Sequence, residues 1–220
     1  MIVAIDGPAG SGKSTIAACA AKETEFRVLD SGMLYRGISM AVFDSGRDPE
    51  DPNAVIEIAY RCRFQLVSGQ LHLNGRPLGQ IHTDRIDRWS AVHSRIVEVR
   101  KAVNARIRSL TGQQNFIVMG RDIGTVVFPD AALKIFLDAS LEARSTRRYH
   151  QGSSSLDQEQ VRRGIEQRDL IDRRKTFGKL EKAADALYID TSDLTIDQVC
   201  DRVIREILKV TINQSGVEDG

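Results

Sequence analysis

Lys13 stands in the run Gly7-Pro8-Ala9-Gly10-Ser11-Gly12-Lys13-Ser14-Thr15, directly after the apolar stretch Ile2-Val3-Ala4-Ile5. Glycines at these positions let a backbone curl until successive N–H groups and the N-terminus of the next helix face one polyphosphate. A lysine so placed reaches the β- and γ-phosphates, and the neighbouring Ser14 hydroxyl is placed to ligate Mg²⁺. The pattern carries that meaning only between a strand and a helix. Ile2–Ile5 reads as a buried strand, and Ser14–Glu23, rich in Ala and free of Gly and Pro, reads as a helix. These residues imply a site for a nucleoside triphosphate.

Three further groups carry chemistry. Leu29-Asp30-Ser31-Gly32-Met33-Leu34-Tyr35-Arg36 follows a second apolar run. Ser31 is placed to cap a helix, with Tyr35 and Arg36 one turn on. A permanently charged, planar Arg beside a hydroxyl and a phenol suits a bidentate hold on phosphate. Taken alone, the stretch is also an ordinary capped helix with a surface Arg. Gly120-Arg121-Asp122-Ile123-Gly124-Thr125 follows the strand Phe116–Met119. Charges at the end of a buried strand need either a ligand or each other. In Gln167-Arg168-Asp169-Leu170-Ile171-Asp172-Arg173-Arg174-Lys175, helical spacing puts Arg168, Asp172 and Lys175 on one face. Asp169 and Arg173 share the neighbouring face, and such a run is equally the mark of a solvated, salt-bridged helix.

The elements that must position these groups are short buried strands separated by helices. Apolar runs at 2–6, 26–29, 115–119, 133–137 and 187–190 predict an α/β fold with a five-stranded parallel sheet flanked by helices. Ligands of such sheets sit at the carboxyl ends of the strands. That rule gathers Asp6, Asp30, Arg121-Asp122 and Asp138 at one edge. About 80 residues separate the second and third core strands, more than one crossover helix needs. Within them Arg63–Val67 and Leu71–Asn74 read as a hairpin closed by Ser68-Gly69-Gln70, and 84–109 reads as helical. We expect one domain over 1–210, with 36–110 as an inserted substrate-binding subdomain. The segment 150–180 opens on the polar stretch Gln151–Ser155 and continues as a charged helix, as a closing lid would. The tail Thr211–Gly220 is expected to be disordered.

Composition narrows the classes. The 220 residues, 41% apolar, suffice for one α/β core with an insertion or two. A net charge of +1 gives no electrostatic case for nucleic acid or a membrane surface. The balance is local: 144–182 holds eleven Arg and Lys against six Asp and Glu, which points to an anionic partner there. Cys19, Cys62 and Cys200 show no C-x-x-C pairing and read as reduced thiols of a cytosolic protein. The four histidines share no metal-ligand spacing. A core strand opening the chain leaves no room for a signal peptide, and no apolar run is long enough for a membrane span.

Together the four stretches resemble the bacterial cytidylate kinases, among the nucleoside monophosphate kinases, over about residues 1–209. The carriers are G-P-A-G-S-G-K-S-T, L-D-S-G-M-L-Y-R, G-R-D-I-G-T-V-V-F-P-D-A and K-I-F-L-D-A-S. The resemblance implies a P-loop kinase core, a monophosphate-binding insertion, a helical lid, and phosphoryl transfer from ATP to CMP or dCMP. It implies that Gly7, Pro8, Ala9, Gly10, Ser11, Gly12, Lys13, Ser14 and Thr15 hold the ATP phosphates, with Mg²⁺ on Ser14. Ser31, Gly32, Tyr35 and Arg36 would line the monophosphate site, with Arg36 and Arg121 on the acceptor phosphate. Arg100 and Asp122 would read the cytosine edge. Arg168, Asp172 and Lys175 would close over sugar and phosphates, and Lys13, Arg121, Arg168 and Lys175 would carry the transfer.

The chain departs from the family pattern in several places. Met119 stands where a carboxylate usually precedes Gly-Arg-Asp, so any role in Mg²⁺ binding would shift to Asp6, Asp30 or solvent. Lys175 replaces an Arg. Val97 replaces a Pro, and Ile107-Arg108 a Gln-Arg. The usual base-reading serine falls at Ala91, one residue from Ser90. The runner-up is a kinase for another monophosphate. A switch or motor ATPase would need an N-K-x-D or L-S-G-G-Q signature, and neither occurs. A cytoplasmic monomer is expected.

Overall fold

The computed structural model describes residues 1–79, 81–150 and 157–215. In chain order the elements begin with β1 (Ile2–Asp6), α1 (Lys13–Thr24), β2 (Arg27–Asp30), α2 (Ser31–Asp44) and α3 (Pro52–Arg61). A small sheet follows, β3 (Phe64–Val67), β4 (Gln70–Leu73) and β5 (Arg76–Pro77), then α4 (Asp84–His93) and α5 (Val97–Thr111). The chain re-enters the main sheet as β6 (Phe116–Gly120), makes a π-turn at Ile123–Val127, and continues through β7 (Leu133–Asp138), α6 (Leu141–His150) and α7 (Gln158–Arg173). It ends with β8 (Leu187–Asp190) and α8 (Ile196–Ser215).

The main sheet is parallel, in the order β2-β6-β1-β7-β8. Its strands are the five apolar runs of the sequence, each shifted by no more than a residue or so. Because both faces are covered, successive residues feed different cores. Val3, Ile5, Ile117, Met119, Ile135 and Leu137 pack under α1 and α8, around Ile16, Ala20, Val203 and Ile207. Ala4, Phe116 and Val118 face the other way, onto Leu34, Ile38, Val55, Val103 and Ile107. The 84–109 stretch is two helices, because the chain turns at Ser94–Ile96 before α5 starts. The hairpin turn is shorter than expected: Val67 pairs with Gln70, leaving Ser68 and Gly69, both at positive φ, as a two-residue turn. The edge of a third strand, β5, adds to it after Asn74-Gly75.

Three further expectations are corrected. Asp30, not Ser31, caps α2: its Oδ1 accepts from the Gly32 N–H at 2.8 Å, and Ser31 is the first helical residue. The tail is helical as far as Ser215, continuing the helix whose stripe Val199, Val203 and Ile207 packs on the sheet, and 216–220 lie outside the described residues. Cys19 and Cys200 are joined by a disulfide, with Cα atoms 6.3 Å apart. They are 181 residues apart, so only the packing of α1 on α8 brings them together. Cys62 remains a free, buried thiol, pushed up to about 11 by burial. The polar stretch Gln151–Ser155, where the lid was expected to open, lies outside the described residues.

Candidate active site

The carboxyl ends of β1, β2 and β6 open into a cavity of about 930 Å³. Every site residue that the resemblance implies lines it except Gly7 and Pro8, whereas Asp6, Asp138, Asp169 and Arg173, also marked in the sequence, lie outside its lining. Gly7 has a structural reason to be glycine. At φ +155° its Cα lies against the Leu137 carbonyl of β7, and a side chain there would collide with backbone. The loop then delivers Ser11 to a fully buried position and Ser14 and Thr15 to the exposed N-terminal turn of α1. The Lys13 ammonium folds back on the loop, donating to the Gly7 carbonyl at 2.9 Å and the Pro8 carbonyl at 2.6 Å. Burial, and next the Arg121 charge, pull its pKa well below the usual lysine range.

Asp6 organises the loop after β6. Its two carboxylate oxygens accept from the Ile123 and Gly124 N–H groups at 2.9 and 2.8 Å. Burial pushes its pKa up to about 6 against those hydrogen bonds. With both oxygens committed to the backbone, Asp6 is a fixture of this loop. Met119 is buried beside it.

The adjacent charges Arg121 and Asp122 do not pair with each other. Arg121 Nε donates to Asp172 Oδ2 at 2.8 Å, and Arg100 NH2 lies 2.5 Å from Asp122 Oδ2. The chain bends at these two residues as it leaves β6, and each finds a counter-charge from a different element. The Arg100–Asp122 pair is almost wholly buried, with Arg100 Nε and Asp122 Oδ2 lacking a well-aligned hydrogen bond. Gly178, at φ +66°, crosses directly over both side chains, where any Cβ would strike them. The Arg100 guanidinium also lies 5.5 Å from the centre of the Tyr35 ring.

The helix α7 closes the other side. Lys175 lies past its last turn yet reaches back, its Nζ donating to Asp172 Oδ1 at 2.7 Å. Burial alone would raise the Asp172 pKa, but the charges of Arg121 and Lys175 hold it well below the carboxylate range. Arg168 is lowered to about 10, by burial and then by the neighbouring Arg121. Lys13, Arg36, Arg121 and Arg168 thus form an electropositive pit. Such a pit is costly to assemble without anions.

Asp172→Asn is expected to cost about 3–5 kcal/mol of stability at pH 7, because it leaves two buried cations short of a counter-charge. A group whose folded pKa is depressed stabilises above the unfolded carboxylate value of about 4 and loses that contribution as pH falls. Denaturant melts should therefore show the gap between wild type and variant narrowing as pH drops below about 4. A gap that stays constant would show that Asp172 stabilises by packing and not by charge.

Several residues in or beside the cavity carried no recognisable signal in the sequence. Asp87 accepts from Arg36 Nε at 2.6 Å and from Arg148 NH2 at 3.1 Å. In sequence it is one acid in the first turn of a helix, which is the usual response to the helix dipole. Arg144 is buried and donates through Nε to the Ala139 carbonyl, through NH1 to the Ala9 carbonyl at 3.1 Å, and pairs through NH2 with Asp169 at 2.7 Å. It ties the phosphate loop to α7, and only the basic bias of 144–182 hinted at it. Ser90 and Ala91 both line the cavity, and the Ser90 hydroxyl donates to the Asp87 carbonyl at 2.9 Å.

Known proteins match this arrangement. The family model described as "Cytidylate kinase" matches residues 3–209. A cytidylate kinase of Borrelia hermsii is 36% identical over 211 residues, covering 93% of this chain and 97% of the relative. One from Cupriavidus necator is 39% identical over 207 residues, covering 92% and 93%. Among solved structures, shikimate kinase from Bacteroides thetaiotaomicron superposes with a TM-score of 0.50 at 11% identity, covering 95% of this chain and 98% of that one, a likeness of fold alone. A family match that runs from β1 into α8 takes in the phosphate loop, the Arg121-Asp122 turn and α7 together, and on that ground the chain belongs to the cytidylate kinase family.

Proposed function

We propose that this chain transfers the γ-phosphoryl group of ATP to CMP or dCMP, giving the diphosphate. The observation that carries this reading is the cavity itself. Cations from the phosphate loop, α2, the β6 turn and α7 line one cavity with the buried Arg100–Asp122 pair, which would meet the base edge. Residues 36–110 would hold the monophosphate and 150–180 would close over it, within one domain over 1–210.

The chemistry follows from charge and position. The loop Gly7–Thr15 would cradle the ATP phosphates with backbone N–H groups, while Lys13 swings from the Gly7 and Pro8 carbonyls to the β- and γ-oxygens. Arg36 and Arg121 would fork onto the acceptor phosphate. Arg168 and Lys175 would answer the charge that spreads over the transferring group. Ser31, Gly32 and Tyr35 shape the acceptor wall, and Asp172 would accept from ribose hydroxyls once its cations turn to phosphate. The acceptor phosphate is already anionic near neutral pH, so no general base is needed. In-line placement and exclusion of water do the rest.

The donor set fits Mg²⁺, which takes few protein ligands and leaves most positions to phosphate oxygens and water. Ser14 is exposed at the cavity, Asp30 stands nearby, and the described residues hold no cluster of three or more His, Cys, Asp or Glu for a tighter ion. Bound there, the ion would neutralise charge between the β- and γ-phosphates. A monomer acting on free nucleotides, with no nucleic-acid or membrane partner, is the simplest form of this reading. No helix among the described residues is long and apolar enough to cross a membrane. The argument for a cytoplasmic location from reduced thiols no longer holds for Cys19 and Cys200.

Coupled assays of ATP with CMP, dCMP, UMP and AMP test the proposal. Turnover with CMP and dCMP at kcat/KM at least about tenfold above the other two is expected, given a site that leaves a buried charge unpaired with the wrong base. Preference for UMP or AMP would replace this reading with another monophosphate kinase. Phosphate release without transfer would indicate an ATPase.

A further inference from the structure

In the cavity lining, one carboxylate holds arginines from two other helices. Asp87 sits in the first turn of α4. Its Oδ1 accepts from Arg36 Nε, on α2, at 2.6 Å, and its Oδ2 accepts from Arg148 NH2, on α6, at 3.1 Å. His82 Nδ1 lies 3.6 Å from Oδ1. The Asp87 side chain is 15% exposed and that of Arg36 9%, so this arm is far from a solvated surface pair, while Arg148 is 30% exposed. Burial alone would raise the Asp87 pKa, yet the neighbouring His82 and the Arg36 guanidinium hold it well below the carboxylate range. Gly32 completes the arrangement, since a Cβ there would press on the Arg36 guanidinium and force it from this position.

A carboxylate and a phosphate monoester offer a guanidinium the same thing, paired anionic oxygens at hydrogen-bond distance. Arg36 and Arg148 face the pit already charged by Lys13, Arg121 and Arg168. Without a counter-charge they would repel one another and lose their register. We propose that Asp87 is a positioning residue that stands in for the acceptor phosphate, holding Arg36 and Arg148 in register until a phosphate monoester takes them over. This rests on the reading of Arg36 as a ligand of the acceptor phosphate. The exchange breaks no covalent bond; the charge-assisted hydrogen bonds pass from carboxylate to phosphate. It also discriminates. A nucleoside without phosphate has nothing with which to displace Asp87, whereas a dianion outcompetes a monoanion.

Calorimetric titration of the full chain decides the matter. In Asp87→Asn, the Kd for CMP and the Kd for inorganic phosphate should each tighten about tenfold, the scale of one charge-assisted bond no longer displaced. The Kd for cytidine should move less than about twofold, and Asp87→Glu should return phosphate affinity towards wild type. Weaker or unchanged binding of both CMP and phosphate in Asp87→Asn overturns the proposal, the first result making Asp87 a simple prop for Arg36. Should that variant fail to fold, the unaltered protein crystallised with CMP gives the same decision. Arg36 Nε and Asp87 Oδ1 are expected to be separated beyond about 4 Å, out of ion-pair reach, and a contact kept at its present length refutes the exchange. Arg36→Gln keeps the underlying reading separate, since unchanged CMP affinity in that variant removes the acceptor-site assignment whatever Asp87→Asn does.

Discussion

Lys13→Ala is expected to reduce kcat by at least about 10²–10³-fold, the scale of losing one preorganised charge in the transition state. The melting curve should shift by no more than about 1 kcal/mol equivalent, as for a substitution away from the packed core. Lys13 is half-buried, and its ammonium contacts only the loop it belongs to, through the Gly7 and Pro8 carbonyls and the Ser11 hydroxyl at 3.3 Å. Once the side chain is removed, those loop groups can turn to water, so the fold loses little. The chemistry loses a cation that would turn from the loop to the γ-phosphate. Single-turnover kinetics beside a thermal melt make the check. Near-normal transfer with an unchanged melt would dismiss the assignment of the phosphate loop.

Asp122→Asn carries the second large effect, on base choice. Cytosine presents a donor at its 4-amino group where uracil presents a carbonyl oxygen. A carboxylate accepts from the first and repels the second. The Asp122 side chain is 6% exposed and sits against Arg100, which is 2% exposed, so neither charge can turn to water when mismatched. A site of this kind discriminates by the cost of the unpaired group. An amide offers either a donor or an acceptor, so the CMP-to-UMP ratio of kcat/KM should fall by about 1–3 kcal/mol equivalent, or roughly fivefold to 150-fold. The variant should also melt lower, because Arg100 is left as a buried, uncompensated cation. If the ratio is unchanged while the protein is destabilised, the pair is structural and the base is read elsewhere.

The sequence was sufficient for the frame, because local rules set it. Buried strands must be apolar on both faces, so Ile2–Ile5 and Phe116–Met119 announced a parallel sheet. The spacing of Gly7, Gly12 and Lys13 announced a phosphate loop between strand and helix. Helical periodicity placed Arg168 and Asp172 on one face of α7, where they meet the cavity. In each case the deciding neighbours lie within a few residues along the chain.

What only the tertiary structure decided is which charge answers which. Arg121 and Asp122 looked like a pair because they are adjacent, yet the bend after β6 parts them, and their partners come from 51 residues away on α7 and from α5. Arg36 read as a free phosphate ligand, yet Asp87 holds it from 51 residues on. Cys19 and Cys200 read as lone thiols until α1 and α8 packed together. Periodicity reports which face of an element is buried, because that depends on the element's own repeat. It is blind to the partner across the gap, since Coulomb attraction and disulfide reach depend on distance in space, and that distance exists only once the helices have docked on the sheet.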